Sequence, residues 1–487
     1  MRARSIVLLV IALAFAADPV VGLFSRSSAP RTVDADLLRQ RAVPLDMAAP
    51  YAAEAYRFLD GAIRHASVVQ LGESIHVTAE FPHARLPLIR YLHEQMSFDV
   101  LALEGSLTQA WLAQEYLYGA TDDGPARITR AQQLAWFKLW NTREMADVMA
   151  YVDATRGTAQ PLYLTSFDVQ TGASAEFGMQ PAVLDALYDS LAAFDVPTAG
   201  GLSRNDFVTA LSPVVQCAIG SPDGLGPAKG PALQSIQQLE TWIAQIRPTL
   251  KNKRPPAHAA ALDLIPDNLR DHVDLCEHAT QWQRRRDELN ADNALVLRAN
   301  VSSSHKVILW AHHSHVAYNS TGSRIPSMGQ HLRDRIGEDV YTVGLFAGHG
   351  RFLDVAPLSV HELPALRSVG IERLLDAVER RSYFVDLRSL PIDDPSAGWM
   401  ITQSSRMEGR RTTSAVLAKD FDAAIYIAHV SPGSDMVPRG AFMVLQVFGV
   451  LVDHLIGATI IVIALVLSIV RWIHLRVVRR KERRSTR

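Results

Sequence analysis

The amino-acid sequence predicts an α/β fold: a mainly parallel sheet flanked by helices, with a helical subdomain inserted into it. Short β-branched apolar segments alternate with helix-like stretches, as in repeated βαβ units. Between about 181 and 300 the apolar spacing is helical and no strand pattern occurs. The chain has 487 residues, of which 48% are hydrophobic and 20% charged, so it can bury a large core.

The predicted strands follow the chain in order, and four of them end in polar residues. They cover residues 67–71, 98–103, 161–167, 306–310, 340–346, 382–387 and 423–428. The first leads into Glu73, the second into Glu104, the third into Asp168 and the fourth into a run of histidines that begins at His312. Polar residues at these positions indicate a site at one edge of the sheet.

Both ends of the chain have the pattern of membrane-targeting segments. Arg2 and Arg4 precede an apolar run that ends in small residues near Ala17, as in a signal peptide or an uncleaved signal anchor. Residues 441–470 are almost free of charge and exceed the roughly 20 residues that a transmembrane helix needs, with a buried core helix as the alternative. Residues 471–487 hold eight basic residues and one acidic residue, and the positive-inside rule places such a tail in the cytoplasm. We therefore expect a membrane-bound protein whose body is extracytoplasmic, in the periplasm or at the cell exterior.

These patterns divide the chain into seven predicted parts. The predicted parts are 1–24 (signal peptide or anchor), 25–50 (linker), 51–180 and 301–432 (two parts of the α/β domain), 181–300 (helical insertion), 441–470 (transmembrane helix) and 471–487 (cytoplasmic tail). The net charge of -1 argues against a nucleic-acid partner.

Cys217 and Cys276 are compatible with a disulfide in an exported protein or with two separate buried thiols. Their separation excludes a CxxC redox motif and a zinc ribbon.

The candidate site consists of carboxylates and imidazoles at the predicted strand ends. Ligands of open parallel sheets bind outside the carboxyl ends of the strands. These ends carry Glu73, His76, Glu104, Asp168, His312, His313 and His315. Any one of them is compatible with a helix cap or a packed side chain, but such groups at four strand ends indicate a reactive centre.

Histidine and carboxylate side chains together are suited to acid–base chemistry. Imidazole titrates near neutrality and can take a proton from water, while a neighbouring carboxylate fixes its tautomer. A second imidazole or an Arg can stabilise the developing oxyanion. The same residues are also suited to bind zinc or manganese, which keeps a metal-dependent hydrolase or protease open. No Gly-x-Ser-x-Gly elbow is present, and Ser74 and Ser106 each follow an acidic strand end, so water is the expected nucleophile.

Seven sequence blocks between about residues 60 and 432 occur in a family-specific order. They are LGESIHVTAEFPHARLPLIRYLHEQMSFDVLALEGS, Trp136 with Trp140 and Asn141, SFDVQ, RRDELNADN, LWAHHSHV, MGQHLRDRIGEDVYTVGLFAGHG and FDAAIYIAHVSP. The first resembles the G-E-x-x-H-x-x-x-E-F motif of the erythromycin esterase family, and RRDELNADN resembles its R-D-x-x-M-A-x-N. The block LWAHHSHV is similar to its W-A-H-N-x-H.

The resemblance implies hydrolysis of an ester or macrolactone by a water molecule that a histidine activates, without an obligatory metal. It implies that His76 is the general base and that Glu73 and Glu104 orient it. His315 then corresponds to a second essential imidazole, with His312 beside it. The resemblance implies a substrate contact for Arg85, and the further residues that we expect to bind substrate are Trp136, Trp140, Asp168 and His313. A helix-surface position for Arg85 and a core position for the tryptophans remain alternatives.

The sequence departs from the family at His313, where members carry Asn, and at Val77, where many carry Gly. The membrane tether is also unlike the soluble resistance enzymes, so drug inactivation inside the cell is not implied. The expected partners are a small ester or lactone and the membrane, and the expected cofactor is none, with a divalent metal as the alternative. A non-catalytic haem- or ligand-binding membrane protein is the third hypothesis.

Overall fold

The structure is a computed structural model. It describes residues 35–434, apart from 120–123, 136–139, 172–180, 199–200, 218–223, 279, 319–324, 356–357, 392–394 and 403. The predicted signal segment, transmembrane helix and basic tail lie outside the described residues. Within the described part, no helix is both long and apolar enough to cross a bilayer.

The strands of the described residues form one large sheet and one hairpin. The strands are β1 (Val43–Pro44), β2 (Val68–Glu73), β3 (Val100–Ser106), β4 (Tyr163–Asp168), β5 (Val307–His312), β6 (Val340–Val355), β7 (Leu358–Glu362), β8 (Ser382–Asp386), β9 (Ser404–Glu408), β10 (Arg411–Ala415) and β11 (Ala423–Val430). The large sheet has the order β1-β8-β11-β6-β2-β5-β3-β4, with β7 paired to β6, and β9 pairs with β10. From β11 to β4 all neighbours are parallel, which confirms the predicted mainly parallel sheet.

Helices cover both faces of this sheet. The helices are α1 (Ala35–Arg41), α2 (Phe58–Ile63), α3 (Glu80–Glu94), α4 (Leu107–Gly119), α5 (Gly124–Ala135), α6 (Arg143–Thr155), α7 (Pro181–Ala192), α8 (Arg204–Val215), α9 (Lys229–Lys253), α10 (Pro256–Asp263), α11 (Ile265–Glu277), α12 (Trp282–Val296), α13 (His313–Val316), α14 (Met328–Ile336), α15 (Ile371–Asp376) and α16 (Leu417–Asp420). A π-helix, Leu297–Val301, follows α12 directly. Because both faces are covered, the central strands are continuous apolar runs rather than alternating ones.

The sheet separates two apolar layers. Val68 packs into the layer that holds α4 and the helices from α7 to α12, whereas its neighbour Val69 packs into the layer that holds α2, α3 and α6. This alternation follows from the period of two in a strand. Leu239 of α9 belongs to the same apolar layer as Val100 of β3. The segment predicted as an inserted subdomain therefore covers one face of the sheet and shares its core.

The predicted linker 25–50 differs from the structure over its described part. Residues Ala35–Arg41 form α1, and Val43–Pro44 pair with β8 at the edge of the sheet. A two-residue strand has no periodicity to recognise, and its partner lies more than 300 residues away in sequence. The strand β8 is antiparallel to β11, a direction that the sequence pattern did not specify.

Cys217 and Cys276 form a disulfide, with their Cα atoms 6.3 Å apart. The bond links Cys217, two residues after the end of α8, to the last turn of α11 across 59 positions of sequence. Of the two alternatives that the sequence left open, the structure has the bonded one. Closing a loop of this length stabilises the folded chain by roughly 4 kcal/mol on the chain-entropy account.

Candidate active site

The parallel register brings the reactive residues to one edge of the sheet. Glu73, the last residue of β2, lies directly beside His312, the last residue of β5. In β3 the pairing with β4 shifts between Leu103 and Ser106, so Glu104 lies in a bulge. Such bulges re-aim a side chain next to active sites. The carboxyl edge therefore collects side chains from strands that are far apart in sequence.

Glu73 is a buried carboxylate with three donors. His76 Nδ1 lies 2.6 Å from Oε1, while Arg85 Nη1 and Trp310 Nε1 lie 2.5 and 3.1 Å from Oε2. Burial by itself raises the pKa of Glu73, but the charge of Arg85 and the bond from His76 outweigh burial and lower it. The carboxylate is thus held ionised and fixed in direction.

Arg85 lies in the core of the site rather than in contact with a substrate. Its side chain is fully buried, stacks 4.2 Å from the Trp310 ring centre and donates to the carbonyl oxygen of Leu71 as well as to Glu73. Arg85 was predicted to contact substrate. Because its guanidinium is fully buried, the structure places it in the interior instead. Arg85 instead fixes Glu73.

His76 is a partly exposed imidazole of the site. Its side chain is 21% exposed, whereas that of Glu73 is 2% exposed. Burial lowers the pKa of His76, but the hydrogen bond and charge of Glu73, together with Glu104, raise it above its ordinary value. With Nδ1 bonded to Glu73, the second ring nitrogen is the one left for chemistry.

Trp140 packs edge-on against the His76 ring at 5.8 Å and donates from Nε1 to the carbonyl oxygen of Glu104 at 3.0 Å. Trp140 is buried, so it supports His76 and Glu104 from the protein interior. It does not line an open cleft, as its predicted role in substrate binding would require. Trp136, also predicted to bind substrate, lies outside the described residues.

The second half of the site is centred on Arg286. Its Nε lies 3.0 Å from one oxygen of Asp168 and its Nη2 lies 2.5 Å from the other, while Nη2 also donates to Glu104 at 3.1 Å. Asp168 is fully buried, so its predicted contact with substrate is replaced by a contact with this guanidinium. The other oxygen of Glu104 accepts the backbone N–H of His312 at 2.9 Å. These bonds connect three strand ends with helix α12.

His315 lies between two carboxylates. Its Nδ1 is 2.5 Å from Asp287 and its Nε2 is 3.3 Å from Glu104. Burial lowers the pKa of His315, but Asp287 and Glu104 outweigh burial and raise it to about 10. The ring is therefore an imidazolium at neutral pH. Its Nε2 donates to Glu104, and the 3.3 Å separation from Arg286 Nη1 is an approach of two cationic donors.

His312 is a neutral imidazole with a fixed tautomer. The backbone N–H of Ser314 donates to Nδ1 at 3.2 Å, and Nε2 donates to the carbonyl oxygen of Ser74 at 3.2 Å. Burial and the nearby ring of His76, whose centre is 4.9 Å away, lower the pKa of His312 to about 4. His312 therefore carries no charge at neutral pH and has both nitrogens engaged.

His313 points away from the site. Its ring lies between Phe346 and Phe421, at 4.8 Å from each ring centre, and is fully buried. A Cβ at Gly72 would come within 2.9 Å of it, so glycine makes room for this ring. Burial and the charge of Arg406 lower its pKa well below the ordinary value. His313 was predicted to contact substrate, but the structure places its ring in the core.

The charges of the cluster explain why His76 favours a proton. The carboxylates are Glu73, Glu104, Asp168 and Asp287, and the cations are Arg85, Arg286 and His315. One negative charge is left over while His76 is neutral, and protonation of His76 balances it. A base in such a surrounding gains a proton readily and is stabilised as the imidazolium.

The protonated state of His315 predicts a pH-dependent stability. Its folded pKa of about 10 lies above the ordinary 6.5, so the folded chain keeps a proton that the unfolded chain has lost between these values. The free energy of unfolding is expected to be fully supported by this group below pH 6.5 and to fall as pH rises towards 10. Urea denaturation across this range measures the slope.

The matched variant for this measurement is Asp287→Asn, which removes the carboxylate 2.5 Å from His315 Nδ1. The variant is expected to have a flatter slope, because the pKa of His315 then moves back towards its ordinary value. Equal slopes in the two proteins would show that Asp287 does not hold the proton on this ring.

Arg286 and Asp287 were not singled out in the sequence, although they lie within the RRDELNADN block. The motif RRDELNADN could have pointed to them, but the sequence of a helix does not show which of its faces packs against the sheet. Within the part of the chain that the structure describes, no three His, Cys, Asp or Glu side chains are grouped as ligands for a metal ion.

Fold and site together define an α/β protein with an acid–base cluster at the carboxyl edge of its sheet. The sequence model of the erythromycin esterase family matches residues 93–430, and the chain belongs to this family. The matched range includes Glu104, Arg286 and His315, whereas Glu73 and His76 precede it.

Two relatives and one solved structure that resemble this chain are distant from it in sequence. The putative hydrolase YbfO of Bacillus subtilis (strain 168) is 24% identical over 81% of this chain and 90% of its own length. Erythromycin esterase type I of Escherichia coli is 25% identical over 58% of this chain and 70% of its own length. The structure of a mutant of the erythromycin esterase EreC in its open conformation superposes with a TM-score of 0.55 at 20% identity, over 84% of this chain and 99% of that one. The similarity to the EreC structure shows a shared fold.

Proposed function

We propose that this protein is a membrane-tethered, extracytoplasmic hydrolase that cleaves a carboxylic ester or lactone with a water molecule activated by His76. The observation that carries the proposal is the pair of His76 and Glu73, with 2.6 Å between Nδ1 and Oε1. The imidazole is accessible, while its carboxylate partner is buried and fixed by Arg85. This is the arrangement of a general base with an orienting acid.

The reaction begins when Nε2 of His76 takes a proton from water as the oxygen attacks the ester carbonyl carbon. The imidazolium that forms is stabilised by Glu73 and Glu104, which raise the pKa of this ring. Positive charge for the developing oxyanion comes from Arg286 and His315, whose nitrogens lie 3.3 Å apart beside Glu104. His76 then returns its proton to the departing alkoxide, so the products are a carboxylic acid and an alcohol.

Water is supported as the nucleophile by the burial of the two serines that follow the acidic strand ends. Ser74 and Ser106 follow the strand ends, but both side chains are buried. A covalent acyl-serine is therefore not part of the proposed reaction.

Metal-free catalysis is supported by the pairing of the carboxylates. Glu73 is bonded to Arg85, and Glu104 and Asp168 are bonded to Arg286, so their oxygens already have cationic partners. We expect turnover of a panel of macrolides and simple esters to be unchanged by a chelator. Loss of turnover with the chelator and recovery with zinc or manganese would overturn this part of the proposal, and a Soret band would favour the haem-binding alternative.

The membrane location is supported by the sequence of the two ends. Alkaline phosphatase fused after Pro432 is expected to be active and alkaline phosphatase fused after Arg480 inactive, because the basic tail favours the cytoplasm. The reverse pattern would contradict the orientation.

A further inference from the structure

The described chain ends at the catalytic edge of the sheet. β11 is parallel to β6 and pairs with it as far as Val430, which lies opposite Gly350, five positions past the residue of β6 that pairs with Glu73. β11 therefore ends beyond the level of β2 and β5, on the same side of the sheet. Residues 431–434, here called the strap, continue from that point. The side of the domain from which the chain proceeds towards residue 441 is therefore the side that carries the site.

The strap is bonded to the loop that follows His76. Ser431 accepts the backbone N–H of Ala79 at 2.9 Å, and Gly433 donates its backbone N–H to the carbonyl oxygen of Val77 at 3.0 Å. Val77 has φ of 55°, a conformation that is strained for a β-branched residue and that these contacts help to hold. Ser431 and Gly433 of the strap are thus bonded to the loop that follows His76.

The far end of the strap is held by the start of α6. Ser434 accepts the backbone N–H of Arg143 at 2.9 Å and donates its own to Glu144 at 3.1 Å. Residues 435–440 then separate Ser434 from the apolar segment 441–470. Seven residue steps span at most about 25 Å when fully extended, so the predicted anchor can begin no farther than that from Ser434.

Exposed apolar side chains lie on the structures that rise beyond this edge. β6 continues past its pairing with β2 and forms a hairpin with β7, and Phe352 of that hairpin packs near Gly409 in the β9–β10 turn. We call these two hairpins the rim. Val360 of β7 is 38% exposed, and Val369, which is bonded to β9 through Ser405, is 40% exposed.

Ile401, three residues before β9, is 40% exposed as well. Each of these three side chains lies on or next to the rim, and exposed apolar side chains of this size are candidates for contact with an apolar phase. The short connection to the proposed membrane anchor, residues 441–470, favours the membrane as the apolar phase next to the rim.

From the strap and the rim we infer that the catalytic edge faces the membrane in which the chain is anchored, and that the substrate is an ester carried by an amphiphile of that membrane. This inference rests on the proposed ester hydrolysis and on the proposed membrane anchor. Water attacks the acyl carbonyl, the acyl C–O bond breaks, and the proton taken by His76 ends on the alcohol oxygen. The carboxylic acid and the alcohol are the only products.

The test uses the full chain in phosphatidylcholine vesicles and two probes with the same leaving group. 4-Methylumbelliferyl palmitate is held in the bilayer, whereas 4-methylumbelliferyl acetate reacts from water. A rigid helical spacer of EAAAK repeats, about 40 residues long, is inserted after Ser434 and lifts the domain by up to about 60 Å. The matched control carries the same spacer after Arg487, where it leaves the distance between domain and membrane unchanged.

The inserted spacer is expected to lower hydrolysis of the palmitate about tenfold or more relative to the control, because the effective concentration of bilayer-held ester at the site falls. Hydrolysis of the acetate is expected to stay the same in both proteins. An unchanged ratio of the two rates would overturn the inference and leave the proposed function intact. A wild-type chain that hydrolyses neither probe nor any other ester would overturn the proposed function, and the inference with it.

A second pair of variants tests the rim directly. Val360→Asp is expected to lower palmitate hydrolysis about fivefold, because a charge replaces apolar surface at the membrane. Leu233→Asp, at an equally exposed position of α9, is expected to change neither rate. Equal effects of the two substitutions on palmitate hydrolysis would show that the rim does not meet the membrane.

Discussion

Replacing His76 with Ala is expected to lower kcat for ester hydrolysis about 100- to 10,000-fold, the usual loss when a general base is removed. The imidazole is the accessible proton acceptor at the site, and the neighbouring rings are unsuited to replace it at neutral pH. His315 is held protonated, and His312 has both nitrogens bonded. Steady-state kinetics on the best ester of the panel measures the loss.

The matched control is His83→Ala, at an exposed position of α3 in the same helix that carries Arg85. This variant is expected to keep the wild-type rate, and both variants are expected to fold, because neither side chain is part of the apolar core. Full activity of His76→Ala would contradict the proposed base and would require another proton acceptor.

The pH profile gives a second measure of the same group. kcat/KM is expected to rise with pH as His76 loses its proton, with a midpoint above 6.5 because its neighbours raise the pKa. Glu104→Gln removes one of the charges that raise it and is expected to move the midpoint to lower pH while lowering the rate. A midpoint that stays in place would show that Glu104 does not act on His76.

The strands that carry the site were predictable, because parallel strands covered on both faces are continuous apolar runs. Glu73, Glu104 and His312 directly end or interrupt such runs, and the rule that ligands bind at the carboxyl edge then places them together. The register confirms this for Glu73 and His312, which are direct neighbours across β2 and β5.

The directions of individual side chains were not predictable. His312, His313 and His315 follow one strand in sequence, yet the first and third face the cluster while His313 packs between Phe346 and Phe421. His313 and His315 lie in the single-turn helix α13, and the direction of each ring depends on tertiary partners such as Phe421 and Asp287, which the local sequence does not show.

The helical half of the site was hidden for a related reason. Arg286 and Asp287 are adjacent on α12, but the packing of this helix against β4 depends on tertiary contacts such as Asn290 with the backbone N–H of Val169. The motif RRDELNADN was visible as a resemblance, whereas the ion pairs that it forms with Asp168 and His315 needed the fold.

Arg85→Met is expected to lower the free energy of unfolding by about 3–5 kcal/mol, because it leaves a buried carboxylate without its cation. Arg85 and Glu73 are both buried, and the pair is joined at 2.5 Å. Urea denaturation of the detergent-solubilised chain measures the change. Arg90→Met, on the same helix, removes a more exposed ion pair with Glu94 and is expected to change stability by no more than about 1 kcal/mol.

The double variant Glu73→Gln with Arg85→Met distinguishes two causes of the lower free energy of unfolding. One is loss of the attraction between Arg85 and Glu73, and the other is the buried charge of Glu73 left without a partner. Gln removes the charge that Arg85→Met leaves behind, so the two changes together are expected to destabilise by less than their sum. Activity is expected to be low in every variant of this cycle, because without the fixed carboxylate the ring of His76 loses the bond at Nδ1 that orients it. If Arg85→Met unfolds at the same urea concentration as the wild type, the guanidinium does not hold Glu73, and the buried pair is not what fixes the catalytic imidazole.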